Sequence, residues 1–475
     1  MPDLSTADYL DIIREGLTPK VPVPKKVIVL GAGMAGLTAA YELQRAGHDP
    51  ILLEAQNRVG GRVQTLRDPF ADGLYAETGA MRLPRSHLLT QAYIEKFALR
   101  TFPFTSGNRN AFYQLHGARR RIAECNANPD LMGFDVATHE KGRTAAQHWD
   151  EALRPLTDLL RVQGEAAWAE IAAKYDHYST REFLEMNKWS EGLIEMFGLL
   201  SDQESLMNSS FLELFREEAG GYYTDLVQLD GGMDTLPKAF LPDLRQRIRF
   251  GAKVIALDQS PDDVTIHYQT PAGRFKETAD YAVITIPFPV LRHIEMLKPF
   301  SRPKQRAIRQ LHYDASAKIV MQFRRRFWEE DDGIYGGGTV TDLPIRIVFY
   351  PDQGRETGRG VVLVSYTWAE DAQRWGSLSP ADRIQQALEN ITQIHPQAAA
   401  EFEVGASKMW HDDEFAGGAF ALFDPGQQTL LHHHIIAPEG RLHFAGEHAS
   451  LAHAWIQGAI ESGLRAAHEI HTTDD

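Results

Sequence analysis

Cysteine is almost missing from this chain. Cys125 is the only one in 475 residues, so no internal disulfide can form and a small disulfide-stapled scaffold is excluded. Long apolar runs are missing too: no stretch reaches the roughly 18 residues a membrane-spanning helix needs. Positive charge is in deficit, with 49 Lys and Arg against 64 Asp and Glu and a net charge of -15. A broad phosphate-binding surface needs clustered cations, so nucleic acid is not expected as a partner. The first eight residues have no basic start followed by an apolar run, and the C-terminus carries no lipidation motif. These absences predict a cytoplasmic protein without a membrane partner. Repeats and low-complexity segments are not found either. What remains is ordinary globular composition, 43% apolar and 24% charged. The length suits about three domains, or one large core with insertions.

Read along the chain, residues 8–17 predict an acidic amphipathic helix, followed by a linker broken at Pro19, Pro22 and Pro24. Val27-Ile28-Val29-Leu30 is a short continuous apolar run that suits a strand buried on both faces. Gly31-Ala32-Gly33-Met34-Ala35-Gly36 follows at once. A helix continues through Leu43, Gly47 closes it, and Ile51-Leu52-Leu53-Glu54 reads as a second strand. This is a βαβ pattern about 30 residues long. Between about residues 144 and 200 glycines thin out, and Leu153, Leu156 and Leu160 fall at helical spacing. Ser179-Thr180-Arg181-Glu182 fits a capping box, so a helical insertion is predicted there. From about residue 253 the pattern turns to strands, at 254–257, 264–268 and 282–287. More follow at 319–323, 345–350, 361–366 and 442–445, before a last helix over 456–470.

The glycine pattern has a physical purpose in this strand–turn–helix setting. Gly31 makes the tight turn, Gly33 lets a pyrophosphate approach the backbone, and Gly36 lets the helix pack against the strand. The helix N-terminus offers free N–H groups and partial positive charge to phosphates. Glu54 ends the second strand, where a carboxylate can accept from two ribose hydroxyls and disfavours a 2′-phosphate. Arg58-Val59-Gly60-Gly61-Arg62 follows, with guanidinium groups able to reach phosphate. Gly446-Glu447 and Gly458-Ala459 mark a second place where backbone closes on a ligand.

The order of these motifs, with Gly231-Gly232-Met233 between them, resembles the flavin-containing amine oxidases over nearly the whole chain. Gly79-Ala80-Met81-Arg82-Leu83-Pro84 makes the L-amino-acid oxidases the most similar branch, since monoamine oxidases lack an arginine at the position of Arg82. The resemblance implies an α/β fold: a discontinuous Rossmann-like FAD-binding domain with an inserted α+β substrate domain and a helical domain. The expected division is 21–65, 229–310 and 430–475 for FAD, 1–20, 66–125 and 311–429 for substrate, and 126–228 for the helical domain. It also implies a cofactor-contacting set of Gly31, Gly33, Met34, Ala35, Gly36, Glu54, Ala55, Arg58, Gly61, Arg62, Gly79, Ala80, Met81, Arg82, Val254, Gly446, Glu447, Trp455 and Ile456. Within it, Glu54 would take the adenosine ribose, Arg62 the flavin side, and Val254 the adenine through its backbone. Glu447 and Ile456 would take the ribityl and pyrophosphate region. Cys125 lies far from the C-terminal motif, where some relatives attach flavin through a cysteine, so FAD is expected to be non-covalent.

Amino-acid oxidation requires a grip on the carboxylate, a Cα–H aimed at the flavin, and a neutral amine. Arg82 is the expected grip, because its planar fork can bind a carboxylate bidentately. By the same resemblance Tyr366 assists it, Gln228 lines the site, Trp455 forms an aromatic wall, and the Ala454 carbonyl accepts from the substrate amine. Lys318 is the expected catalytic residue, holding a water near the flavin. The implied reaction is hydride transfer from Cα to flavin N5. Its partners are an L-amino acid and dioxygen, and its products a 2-oxo acid, ammonia and hydrogen peroxide. The alternatives are an amino-acid 2-monooxygenase, an amine or polyamine oxidase, and a non-catalytic FAD-binding scaffold. The family also implies a homodimer or higher oligomer.

Three other clusters are expected to be inert. His432-His433-His434 would alternate faces on a strand and hold no metal. Asp412-Asp413-Glu414 reads as a solvated acidic loop. Gly336-Gly337-Gly338 does not join a strand to a helix, so it is no second nucleotide site. Phe415, Phe420 and nearby Trp410 mildly favour a large apolar substrate side chain, and the sequence singles out no charged residue for that pocket.

Overall fold

The protein was analysed as a computed structural model, which describes residues 4–18 and 23–473. Pro19 and Pro22 of the expected linker therefore lie outside the described residues. Val27, Ile28, Val29 and Leu30 are completely buried, because their strand, Lys26–Leu30, is central in a five-stranded, all-parallel sheet. Asp49–Glu54 pairs on one side and Tyr281–Ile284 on the other. Ile248–Phe250 and Leu442–Phe444 complete the two edges. One sheet is thus built from three distant stretches of chain. A parallel pair requires a crossover, and the first is the helix Met34–Arg45. Gly36 allows it: a Cβ there would stand 2.1 Å from the Gly31 carbonyl oxygen. The C-terminal helix Ile456–Thr472 packs beside it. The N-terminal helix Thr6–Glu15 shares this core, although its segment was assigned above to the substrate-binding unit. The strands Lys253–Gln259, Val264–Thr270 and Gly273–Ala279 form an antiparallel layer whose core includes Ile28, Leu30 and Ile284.

A second sheet of seven strands contains the antiparallel pair Ser316–Phe323 and Gly360–Trp368, second and third from one edge. All eight residues of the first of these strands are buried. Helices Ala369–Gly376 and Pro380–Ile394 pack into the core on one side. On the other lies a small cluster of Met81, Val320, Phe349, Val361 and Leu363, so this face looks toward the Arg82 segment. The helical insertion is present, with Ala145–Gln163, Thr180–Met186, Glu191–Leu200 and Phe211–Ala219 around Trp149, Phe197 and a stacked Phe183–Phe211 pair. The capping box forms as expected: Glu182 N–H donates to Ser179 Oγ at 3.2 Å, and Ser179 N–H donates to Glu182 at 2.8 Å. One local expectation fails. His432, His433 and His434 lie on the helix Gln427–Ile436, not on a strand. The run Gln427-Gln428-Thr429-Leu430-Leu431 is better helix than strand former, lacking β-branched residues except Thr429.

Candidate active site

Two cavities meet between the parallel sheet, the seven-stranded sheet and the helical insertion. The larger, about 590 Å³, begins at the C-terminal ends of the parallel strands, where Gly31, Gly33, Met34, Ala35, Glu54 and Ala55 line it. It runs past Gly61, Arg62, Gly79, Ala80 and Val254 to Gly446, Glu447, Lys318 and Trp410. A Cβ on Gly33 would meet no protein atom within 4 Å. That bare backbone at a helix N-terminus is the cradle a pyrophosphate needs. Glu54 is buried. Its carboxylate accepts from Ala32 N–H at 2.7 Å and Gln56 N–H at 2.8 Å, which leaves lone pairs for ribose hydroxyls. Burial pushes its pKa up against those bonds.

Arg62 donates to Glu447 at 2.7 Å and to the Ala419 carbonyl at 3.0 Å. Glu447 also accepts from Ala421 N–H at 3.1 Å and Ala454 N–H at 3.1 Å. Burial is the largest single influence and opposes its charge, but Arg62, His453, His448 and the Ala454 N–H together outweigh it and hold the carboxyl below the ordinary range. The expected cofactor residues are thus mostly on the wall, with four exceptions. Gly36 acts behind it through helix packing. Arg58 is not on the wall, and its one hydrogen bond is to the Val59 carbonyl at 3.5 Å. Met81 and Arg82 face the second cavity instead.

The second cavity, about 390 Å³, shares Ala80, Tyr366, Phe420, Ala454, Trp455 and Ile456 with the first. Arg82 lines it. Its guanidinium carbon stands 5.7 Å from the ring of Phe104, 5.6 Å from Tyr223 and 5.6 Å from Phe349. Among the described residues no carboxylate lies within ion-pair distance of it and no carbonyl accepts from it. A partly buried guanidinium among three aromatic rings, with its fork unused, is prepared for an anion from outside.

Lys318 and Tyr366 are directly opposite in the register of the pair Ser316–Phe323 and Gly360–Trp368. Lys318 Nζ donates to the Gly79 carbonyl at 2.6 Å and the Glu77 carbonyl at 3.2 Å, and it lies 4.4 Å from the centre of the Tyr366 ring. Burial pushes its pKa down to about 7, with the Glu77 carboxylate opposing and Arg82 assisting. Gly79 itself packs against the main chain of the Arg62 segment: a Cβ there would stand 1.9 Å from the Arg62 carbonyl oxygen. Trp455 donates from its indole N–H to Glu217 at 2.6 Å and packs against His87 at 5.0 Å and Tyr222 at 5.6 Å. Burial pushes Glu217 up to about 7. Ala454 borders both cavities with a φ of 65°.

Some residues stand elsewhere than expected. Gln228 donates to the Met81 carbonyl at 2.7 Å and lines a separate cavity of about 50 Å³, not the one holding Arg82. Phe415 and Trp410 line the larger cavity, and only Phe420 reaches the second. Asp413 is not a solvated loop residue: it pairs with Lys408, caps Phe415 N–H at 2.9 Å and faces the larger cavity. The sequence offered no charged residue for the side-chain pocket, and the structure puts Asp202, Glu213 and Glu217 on its wall. These acids come from the helical insertion, and no local pattern in the sequence distinguishes them from surface carboxylates. Among the described residues no group of three His, Cys, Asp or Glu side chains is arranged to hold a metal ion.

Comparison with known proteins converges on one family. The profile of the flavin containing amine oxidoreductases matches residues 34–471. YobN of Bacillus subtilis (strain 168) is 41% identical over 99% of this chain and 99% of its own length. The L-amino-acid oxidase of Vipera ammodytes ammodytes is 36% identical, over 98% of this chain and 97% of its own. The L-amino-acid oxidase of Pseudechis australis is also 36% identical, over 98% and 90%. Among solved structures, cyclohexylamine oxidase from Brevibacterium oxydans IH-35A shares the fold with a TM-score of 0.75 at 20% identity, covering 94% of this chain and 99% of its own. Putrescine oxidase bound to putrescine does so with a TM-score of 0.75 at 21% identity, covering 95% and 100%. The α/β fold, the glycine-lined cavity and these matches agree: the chain belongs to the flavin-containing amine oxidoreductases, enzymes whose cofactor is FAD.

Proposed function

We propose that this enzyme oxidises L-amino acids to 2-oxo acids, releasing ammonia and hydrogen peroxide. The observation that carries the reading is the unpaired Arg82 guanidinium in a cavity that opens onto the dinucleotide cavity. An amine substrate without a carboxylate would leave that charge buried and unsatisfied. The high identity to proteins called L-amino-acid oxidases supports the same assignment.

Gly31, Gly33, Glu54, Arg62, Val254 and Gly446 would hold the cofactor along the larger cavity, in a unit assembled from 21–65, 229–310 and 430–475. The substrate side would come from 66–125 and 311–429, and the helical side from 126–228. Bound FAD supplies a two-electron acceptor for the hydride leaving Cα. The protein's own work is placement and proton control. Arg82 fixes the carboxylate through two parallel hydrogen bonds, and Tyr366 and Trp455 close the walls. The Ala454 carbonyl would accept from the amine. Lys318 has its donors turned to the Gly79 and Glu77 carbonyls. When neutral, it offers a lone pair that can take a proton from a water attacking the imine carbon.

The test is anaerobic mixing of the yellow holoenzyme with a panel of L-amino acids and the matching decarboxylated amines. Bleaching by the amino acids, followed by peroxide and 2-oxo acid in air, supports the proposal. Bleaching by amines alone returns the enzyme to the amine oxidases, and an amide product identifies a 2-monooxygenase.

A further inference from the structure

The cavity behind Arg82 holds a second unused polar group, a carboxyl. Asp202 lines it, and neither carboxylate oxygen accepts a hydrogen bond or meets a cation within ion-pair distance among the described residues. Its Oδ2 is fully buried. The other acids on this wall are taken. Glu213 accepts from His453 at 2.9 Å, Glu217 accepts from Trp455 and Tyr223, and Glu218 is exposed. Arg346 acts on Asp202 through space, but its own partners are Glu204 at 2.6 Å and Asp371 at 3.5 Å. Arg82 also acts on Asp202 electrostatically, and the two stand beyond ion-pair contact. Among the described residues the cavity therefore presents one unpaired guanidinium and one unpaired carboxyl, whose pKa burial pushes up to about 7 and whose charge a bound cation would favour. Apolar side chains such as Leu206, Leu214, Phe349 and Leu422 also line it.

The backbone does not require an acid at this place. Asp202 follows the helix Glu191–Leu200 with a φ of 53°, the left-handed position that ends many helices. Glycine or asparagine serves there without burying a charge. An unpaired carboxylate is costly inside a protein, so its presence points to a ligand that pairs it.

We infer that Asp202 receives the distal cation of a basic L-amino acid whose α-carboxylate Arg82 holds, making this pocket selective for cationic side chains. The inference rests on the L-amino-acid oxidase reading of the same site. A substrate with charge at both ends and an aliphatic stem between them satisfies both groups at once. A neutral side chain satisfies only Arg82. An acidic side chain meets Asp202 with like charge and is rejected.

The experiment compares L-lysine and L-arginine with L-norleucine and L-glutamate, read as kcat/KM from peroxide release and as anaerobic flavin bleaching. The expected result is a preference of roughly tenfold or more for the cationic substrates over L-norleucine, with L-glutamate poorest. Asp202→Asn keeps the left-handed turn. It should lower the ratio of L-lysine to L-norleucine efficiency by roughly ten- to a hundredfold, mainly through KM. Two results overturn the inference while leaving the oxidase reading intact: wild-type enzyme that favours L-norleucine, or an Asp202→Asn ratio equal to wild type. If no L-amino acid bleaches the flavin, the oxidase reading fails and this inference falls with it. Should Asp202→Asn not yield folded holoenzyme, the wild-type panel alone decides.

Discussion

The two cavities are built on opposite principles. The larger is rich in exposed backbone: glycines at Gly31, Gly33, Gly61, Gly79 and Gly446 bring the main chain to its surface. The smaller is mostly side chains. Arg82, Tyr366, Trp455 and Asp202 come from four distant segments and meet only in the folded protein. A backbone site tolerates little change where a glycine's neighbours are main-chain atoms that cannot turn away, as at Gly36 and Gly79. A side-chain site can lose one group and keep its shape. Gly36→Ala tests the first half of that contrast and should give the largest effect. Its new methyl would stand 2.1 Å from the Gly31 carbonyl oxygen. Helix and strand must separate, costing on the order of 3 kcal/mol. Flavin content, read as the ratio of absorbance near 450 nm to that at 280 nm, should fall by half or more. A variant with full flavin and an unchanged melting temperature would break the contrast.

Arg82→Met tests the second half. The side chain keeps its volume along the aromatic wall and loses only the fork. Removing a charge-assisted pair should cost about 1.5–3 kcal/mol of carboxylate binding, or roughly ten- to a hundredfold in kcat/KM. Flavin content should stay at the wild-type level. Loss of flavin together with activity would mean that the two cavities are not separable.

The same contrast explains what could be read from the sequence. The dinucleotide wall was legible because its information is local: Gly31 to Glu54 spans one βαβ unit, and Ser179 and Glu182 announce their own helix start. Ile248–Phe250 was missed because three residues at a sheet edge carry too little pattern. The helix Pro380–Ile394 and the strand Phe402–Met409 were missed too, although Ser379 caps that helix by accepting from Asp382 N–H. Arg82 and Lys318 were found through family resemblance, not through periodicity. Asp202 gave no sign, because a carboxylate after a helix is ordinary until the tertiary fold buries it. Gln228 shows the limit of resemblance: its side chain donates to the Met81 carbonyl and turns to a different cavity from the one that holds Arg82.

Lys318 sits on the boundary between the two cavities, donating to backbone of the first and lying under Tyr366 of the second. Its pKa is pushed down to about 7, so it is charged below that pH and neutral above. If the neutral amine is the working form, a Lys318-dependent step should speed up as pH rises through about 7. Lys318→Met should remove that rise and slow the step roughly tenfold. A separate rise at higher pH, from deprotonation of the substrate amine, should remain in the variant. Stopped-flow reduction and imine hydrolysis followed across pH 5.5 to 9.5 distinguish the two. A profile identical in wild type and Lys318→Met would make the lysine a strut for Gly79 and nothing more.

The smallest effect is expected where a side chain is held by another side chain. Trp455 borders both cavities, and its indole N–H donates to Glu217 at 2.6 Å. Trp455→Phe keeps an aromatic face but drops this bond, and a loss of about 1 kcal/mol should appear as a KM raised roughly fivefold with little change in kcat. Glu217→Leu removes the same bond from the other end, and also frees Tyr223. If the bond is what orients the wall, the two substitutions should be less than additive in a double-mutant cycle, with a coupling of about 1 kcal/mol. Full additivity would place the ring's orientation in its packing against His87 and Tyr222. In that case the substrate wall would share the larger cavity's property of being fixed by shape, and the contrast between the two sites would narrow to Arg82 and Asp202.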